Sequence, residues 1–356
     1  MPIPTSESID ATWLTEQLQQ AGFDVVVVDY QAQEIGTGQI GKCVRYELSL
    51  DRTDSGAPNS LVGKFPSDNP VSRGAGVALR NYFREVRFYQ TLADKLPIKK
   101  PICYYADITD EGPEFALLLQ DMSPAIQGDQ LKGCNAATAE AAIHELVGLQ
   151  TPFWCDPSIN DYAWLVDSAD GSLGSVVGFY QQMLPGFIDR YGVHLSDDQI
   201  KIISQIADSP NCPLFSKAGD LFCLEHVDYR LDNMLIDSVG DNMEVTIVDW
   251  QSVRVGKPLN DVAYFLGAGL QSELRREVEE GLLRNYHRQL CECGISDFGW
   301  EQCWLEYRKS TFAGFAVTVI ASMFVEQTQR GDQMFIVMAD RHSRHALDLD
   351  AAEFLS

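Results

Sequence analysis

Positive charge is scarce in this chain. Of its 356 residues, 27 are Lys or Arg and 51 are Asp or Glu, a formal net charge of −24. A surface that acidic repels phosphate backbones and anionic lipid, so neither nucleic acid nor membrane is an expected partner. Long apolar runs are also lacking. The uncharged stretch Ser310–Val325 has sixteen residues with polar positions among them, short of the roughly 20 apolar residues that span a bilayer. A buried core helix is expected there. The opening MPIPTSESIDATW has neither the basic start nor the apolar stretch of a secretory signal. The nine cysteines include no C-x-x-C pair, so neither a zinc site nor a disulfide framework is indicated, and a cytoplasmic protein with reduced thiols is expected. Internal repeats and low-complexity tracts are absent as well.

What is present is a soluble globular composition, 45% apolar and 22% charged, with its charge spread unevenly. Residues 1–120 hold 11 basic and 16 acidic side chains, whereas residues 121–356 hold 16 and 35. The texture changes at the same place. A capped helix from Asp10 to Ala21 is predicted first, then strands near 25–28, 44–50 and 61–65. An interior helix from Leu79 to Leu96 follows, and then strands near Tyr104 and over 115–119. Beyond Ser123 helical patterns dominate (136–150, 174–191, 197–207, 262–293, 299–328 and 332–347), interrupted by one β-like island over 222–250. We therefore expect two domains, 1–120 and 121–356, in an α+β fold with a β-rich first lobe and a mainly helical second one.

The segment Glu225-His226-Val227-Asp228-Tyr229-Arg230-Leu231-Asp232-Asn233 carries the sharpest pattern, H-x-D-x-x-x-x-N. Phosphoryl transfer needs a carboxylate to accept a hydroxyl proton and oxygen ligands for the metal that neutralises the phosphates. Asp228 and Asn233 on one loop can supply both functions. Asp249, sixteen residues beyond Asn233 at the end of an apolar strand, can supply a second Mg²⁺ ligand. A turn with local side-chain bonds would explain Asp228 and Asn233 alone, but not Asp249 as well. Gly36-Thr37-Gly38-Gln39-Ile40-Gly41 has the form G-x-G-x-x-G between two predicted strands, either an ordinary hairpin turn or a phosphate-covering loop. Lys64 sits at a strand end, as a solvated edge residue or a phosphate ligand. Glu85, in the interior helix, could pair with Lys64 or make a surface contact. The order of these features is that of a nucleotide kinase.

On these residues the chain resembles the protein-kinase-like small-molecule phosphotransferases, a group holding aminoglycoside phosphotransferases, choline kinases and ecdysteroid kinase-like (CHK-type) proteins. Its nearest likeness is to the bacterial ecdysteroid kinase-like proteins. The segments concerned are EIGTGQIG, LVGKFPS, YFREVRFYQTLA, FALLLQDMSPA, GDQLKGC, EHVDYRLDNMLI and VDWQSVRVGKPLNDVAYFL, from about residue 34 to 266. The resemblance implies a bilobal kinase-like fold with ATP and Mg²⁺ as cofactors. It implies Asp228 as catalytic base and Asn233 and Asp249 as metal ligands. Gly36, Gly38 and Gly41 would cover the nucleotide, and Lys64, oriented by Glu85, would hold its phosphates. Leu119, Gln120 and Met122 would meet the adenine at the hinge. His226 would be a structural support. Asp261 would buttress the catalytic loop, although capping the helix after Pro258 accounts for it equally well. Val227 departs from the Gly common at its position, Gln120 from a commoner hinge Glu, and Gln251 counts against choline.

The function expected is an ATP- and Mg²⁺-dependent kinase acting on a hydroxyl of a small molecule, a sterol-like or other bulky alcohol ahead of an amino sugar. The alternative is a catalytically silent nucleotide-binding pseudokinase. A protein kinase is disfavoured, since only eleven residues separate Asp249 from Asp261, with no Ala-Pro-Glu element. Trp304, Tyr307, Phe312, Phe315, Met323 and Phe324 form either helical core, the commoner case at such spacing, or the lining of an acceptor pocket. His144 is expected to be a packed helix residue without chemistry.

Overall fold

Asp10 starts the first helix: its carboxylate accepts the Trp13 N–H at 2.7 Å at the head of α1 (Ala11–Gln20). Leu14 and Leu18 of α1 are fully buried in a cluster with Val27, Val44, Tyr46, Leu61, Phe65 and Leu118. Those partners come from a five-stranded antiparallel sheet in the order β1-β2-β3-β5-β4. Its strands are β1 (Val27–Ile35), β2 (Gly41–Leu50), β3 (Ser60–Pro66), β4 (Cys103–Ile108) and β5 (Phe115–Gln120). Along β3, Leu61, Gly63 and Phe65 are buried and alternate with less buried Val62 and Lys64. The two-residue period thus sends Lys64 to the face opposite the Leu61–Phe65 core. The computed structural model describes residues 2–36, 40–52, 56–165, 172–240 and 242–355.

The helix predicted over Leu79–Leu96 is present over its middle, and a separate helix precedes it that the sequence pattern did not mark. Asn69 caps α2 (Pro70–Ala78) through the N–H groups of Val71 and Ser72, and Arg80, at φ +57°, then turns the chain. Only after that turn does α3 (Asn81–Thr91) begin. The sequence pattern passed over α2 because it buries only Gly76 and so shows no apolar stripe. The stripe predicted for the interior helix belongs to α3, which buries Tyr82, Val86, Phe88 and Tyr89, with Glu85 among them.

Two compact units result, and neither is continuous in sequence. The first holds Met1–Lys95, Lys100–Pro124 and the short segment Val248–Ser252; the second holds the rest. The segment 248–252 joins the first unit through Trp250, whose ring stacks on Phe88 with centroids 4.0 Å apart. Asn81 adds a hydrogen bond from its Nδ2 to the Gln251 carbonyl at 3.2 Å.

The second unit is mainly helical. It contains β6 (Ile126–Gln127), α4 (Ala136–Gln150), α5 (Ser172–Tyr191), α6 (Asp197–Asp208), β7 (Cys223–Glu225), β8 (Met234–Val239), β9 (Asn242–Ile247) and β10 (Arg254–Gly256). β8 and β9 form a hairpin, with β6 on the free edge of β8, and β7 pairs with β10. The helix predicted over 262–293 is two helices, α7 (Pro258–Gly269) and α8 (Ser272–Glu292). They are separated at Leu270, which is extended and fully buried. An apolar residue in the break preserves the periodicity, so the pattern could not mark it. After α9 (Trp300–Ser310) come α10 (Ala313–Phe315), a π turn over Ala316–Ala321, α11 (Ser322–Phe324) and α12 (Gln329–Asp348). Among the described residues no helix is long and apolar enough to cross a membrane. All nine cysteines are free thiols.

Candidate active site

In the first unit one ammonium gathers two carboxylates. Lys64 Nζ, on β3, lies 2.6 Å from Glu85 Oε2 on α3 and 2.7 Å from Asp249 Oδ1. Burial works against the Lys64 charge, but Asp249 and Glu85 outweigh it and raise its pKa above the ordinary lysine value. Glu85 is buried and its carboxylate faces Lys64, so the surface-contact alternative does not apply. Asp249 has a left-handed backbone, φ +68°, and its other oxygen accepts from Gln251 Nε2 at 3.1 Å.

The glycine pattern is placed in part. Gly36 has φ +77°, a conformation glycine adopts without penalty. Gly41 opens β2 against Lys64, where an added Cβ would come within 3.2 Å of the lysine Cε. Gly38 lies outside the described residues. At the other edge β5 ends at Gln120, with Leu119 buried beside it. Gln120 donates its N–H to the Ile102 carbonyl at 2.8 Å. Asp121 anchors the step to Met122: it takes Arg45 Nε at 2.7 Å, Ser60 Oγ at 2.8 Å and the Ser123 N–H at 3.0 Å. Only the Ser123 bond is local; the Arg45 and Ser60 partners come from two other strands.

In the second unit the 226–233 loop is held from below by α7. Asp261 Oδ2 accepts the His226 N–H at 2.6 Å and Oδ1 the Val227 N–H at 2.9 Å. The residue capping α7 is Lys257, so Asp261 is a buttress and the capping alternative falls. Burial, with Glu225 nearby, pushes the Asp261 carboxyl up to about 7. Val227 sits at φ +77°, which a β-branched residue adopts only under strain. His226 is fully buried, its ring edge-on to Tyr229.

Asp228 is surrounded by donors. Oδ1 accepts from Arg230 Nε and from the Tyr264 hydroxyl, both at 2.9 Å, and Oδ2 accepts from Asn233 Nδ2 at 2.9 Å. Burial would raise the Asp228 carboxyl, but the Arg230 guanidinium, His226 and the Tyr264 hydroxyl outweigh it and hold it below the usual range. The group is therefore ionised at neutral pH and able to accept a proton. Asn233 uses only its amide nitrogen in these bonds, which leaves its Oδ1 as a hard oxygen donor.

Three residues around Asp228 were not singled out by their sequence. Tyr264 stands three positions beyond Asp261, on the same face of α7. Arg230 bonds Asp228 and, through Nη1, Asp232 at 3.0 Å. Asp232 also pairs with Arg330 of α12 at 2.9 Å. The first two lie in or near the motif and could be suspected from spacing, whereas Arg330 is 98 residues from its partner.

Of the C-terminal aromatic set, Tyr307, Phe312 and Phe315 are fully buried core, and Phe324 is exposed against Phe179. His144 is exposed on α4, not packed, and bonds Gln289 of α8 at 2.5 Å. Among the described residues no three His, Cys, Asp or Glu side chains gather as a metal site.

Residues 162–295 match the model of the ecdysteroid kinase-like family. No curated protein sequence matches the chain. Solved structures of similar fold include a protein described as an aminoglycoside phosphotransferase from Ralstonia eutropha JMP134, with TM-score 0.52 and 14% identity over 95% of this chain and 98% of that one. The gentamicin complex of APH(2″)-IIa gives a TM-score of 0.51 and 15% identity over 98% of this chain and 99% of that one. The GDP complex of aminoglycoside 2′-phosphotransferase-IIIa gives 0.52 and 13% over 94% and 99%. The chain thus has the kinase-like fold of the small-molecule phosphotransferases. Within that class, the family its middle segment matches is the ecdysteroid kinase-like one.

Proposed function

We propose that this protein is an ATP- and Mg²⁺-dependent kinase that phosphorylates a hydroxyl group of a small molecule. The observation that carries this reading is Lys64 held between Glu85 and Asp249. A largely buried ammonium fixed on a strand between two carboxylates is a ready ligand for nucleotide phosphates. The first unit would take the nucleotide, with Gly36, Gly38 and Gly41 over the phosphates and Leu119, Gln120 and Met122 along the base. Asp249 and the Asn233 amide oxygen are hard oxygen donors, the kind Mg²⁺ takes alongside phosphates and water. When bound, Mg²⁺ would neutralise phosphate charge. The second unit would present the acceptor to Asp228, which stays ionised between Arg230 and Tyr264 and takes the hydroxyl proton as the γ-phosphoryl moves in line.

A bulky neutral alcohol is the favoured acceptor. The ecdysteroid kinase-like match supports it, and so does the charge beside the base, where Asp232 is neutralised by Arg230 and Arg330. A polycationic amino sugar would meet those guanidinium groups unfavourably, although one fold neighbour is a gentamicin complex.

The test is ATP turnover with Mg²⁺ across a panel of sterols, simple alcohols and aminoglycosides, beside an Asp228→Asn variant. Transfer to a hydroxyl compound, lost in the variant while nucleotide still binds, is the expected result. Nucleotide binding with no transfer to any compound would replace the kinase by the pseudokinase reading.

A further inference from the structure

A second site lies within the second unit, separate from the Asp228 cluster of that unit. A cavity of about 260 Å³ is walled by the start of α7, by the segment ahead of β7 and by the end of α9. Neither Asp228 nor Asn233 lines it. Its lining includes three lysines, Lys217, Lys257 and Lys309, and a single carboxylate, Glu306, which is already bonded to Lys309 at 2.8 Å. Over residues 121–356, where 35 acidic side chains face 16 basic ones, a lining with a surplus of positive charge is an exception.

Lys257 is the critical member. Its ammonium donates to the Pro213 carbonyl at 2.6 Å and to Ser216 Oγ at 2.7 Å. Both partners are neutral, and among the described residues no carboxylate lies within ion-pair distance of it. Glu225, on the neighbouring strand, is bonded to Arg254 at 2.7 Å. Burial lowers the Lys257 pKa below the ordinary lysine value, although Glu225 and Glu306 act in the other direction. α7 also presents its positive end at this wall, with Lys257 as a cap that adds no side-chain acceptor. Lys217 is exposed and makes no ion pair among the described residues.

We propose that this cavity binds a small phosphate-bearing anion. Lysine ammonium groups act as compact charges that suit a tetrahedral dianion, and the Ser216 hydroxyl stands at the same wall. The volume falls below the range of about 300–1,000 Å³ usual for larger ligands. It therefore suits inorganic phosphate or a short phosphomonoester, not a nucleotide. The proposal is independent of the kinase reading.

The full chain, free of nucleotide and Mg²⁺, is titrated calorimetrically with inorganic phosphate and with glycerol 3-phosphate, against KCl at matched ionic strength. Saturable binding of at least one is expected; binding of phosphate alone would assign the free ion, and binding of both the monoester class. A Lys217→Gln/Lys309→Gln double variant should weaken binding roughly tenfold or more, as loss of charged hydrogen bonds does. Glu306→Gln, which frees Lys309, should tighten it. No saturable response beyond that of KCl would overturn the proposal. Binding that survives the double variant would overturn it too.

Discussion

Asp261 accepts the backbone N–H of Val227 at 2.9 Å, and Val227 answers with φ at +77°. The buried carboxylate thus holds the residue before Asp228 in a conformation that costs a β-branched side chain roughly 1–2 kcal/mol. Replacing Val227 by Gly removes that strain and adds about 0.5–1 kcal/mol of unfolded-state entropy. Thermal unfolding of Val227→Gly should therefore show a small gain in stability. A lower midpoint would mean that Val227 packing outweighs its strain. Asp261→Ala strands two buried N–H groups and should cost about 2–4 kcal/mol.

Removing Lys64 leaves Glu85 and Asp249 facing one another without a cation. Lys64→Met should destabilise the protein by about 3–5 kcal/mol, the usual result of breaking a buried pair. Adding Glu85→Leu to it should restore part of that loss, a sign reversal that a double-mutant cycle in denaturant would read. Transfer from ATP should fall on the order of 10²–10³-fold in Lys64→Met, because a preorganised charge at the phosphates is lost. Equal turnover in variant and parent would remove Lys64 from the phosphate site.

Tyr264 and Arg230 act on the reaction through Asp228. Each donates to Oδ1 and favours the carboxylate form. Losing the Tyr264 hydroxyl in Tyr264→Phe should raise the Asp228 pKa, so the acid limb of kcat/KM moves to higher pH. Arg230→Gln, which removes a full charge, should move the limb further in the same direction. A merely structural role would lower the profile evenly without moving the limb, which makes the pH profile the deciding measurement.

His342 of α12 is fully buried, stacked on the Tyr264 ring at a centroid distance of 5.3 Å, and neither ring nitrogen has a hydrogen-bond partner among the described residues. Burial, with His345 and Arg341 adding to it, lowers its pKa to about 3. The folded state keeps the imidazole neutral while the unfolded chain takes up a proton below its ordinary value of about 6.5. The stability contributed is complete above about pH 6.5 and is lost as pH falls from there toward 3, by about 1.4 kcal/mol per unit. Unfolding free energies measured across that window should show this slope, and His342→Phe should flatten it. An unchanged slope in the variant would assign the acid sensitivity elsewhere.

Residues that act through their chain neighbours were readable in advance. Asp10 as a cap and the strand that carries Lys64 follow from local pattern, and the spacing of Asp228 and Asn233 follows from one short loop. Glu85 was a weaker inference, resting on order along the chain. The helix α2 ahead of Arg80 was hidden because it buries only Gly76 and so carries no apolar stripe. The break at Leu270 was hidden because a buried leucine sits in it. Tyr264 gained its significance only from Asp228, brought to it by packing, and Arg330 from a partner 98 residues away. The buried ring cluster of Tyr307, Phe312 and Phe315 could be read equally as pocket or core until burial was known.

By itself, then, the sequence determined the acidic character, the β-rich and helical halves and the polar frame of both clusters. Composition, periodicity and short spacings are properties of neighbouring residues and survive without a fold. Tertiary structure alone decided that segment 248–252 returns to the first unit, that Asp261 buttresses instead of capping, and that Asp228 is held ionised. It also decided that three lysines share one cavity in a strongly negative chain. Each of these depends on which distant groups are brought within a few ångströms in a low-dielectric interior, where a single partner changes the sign of an energy.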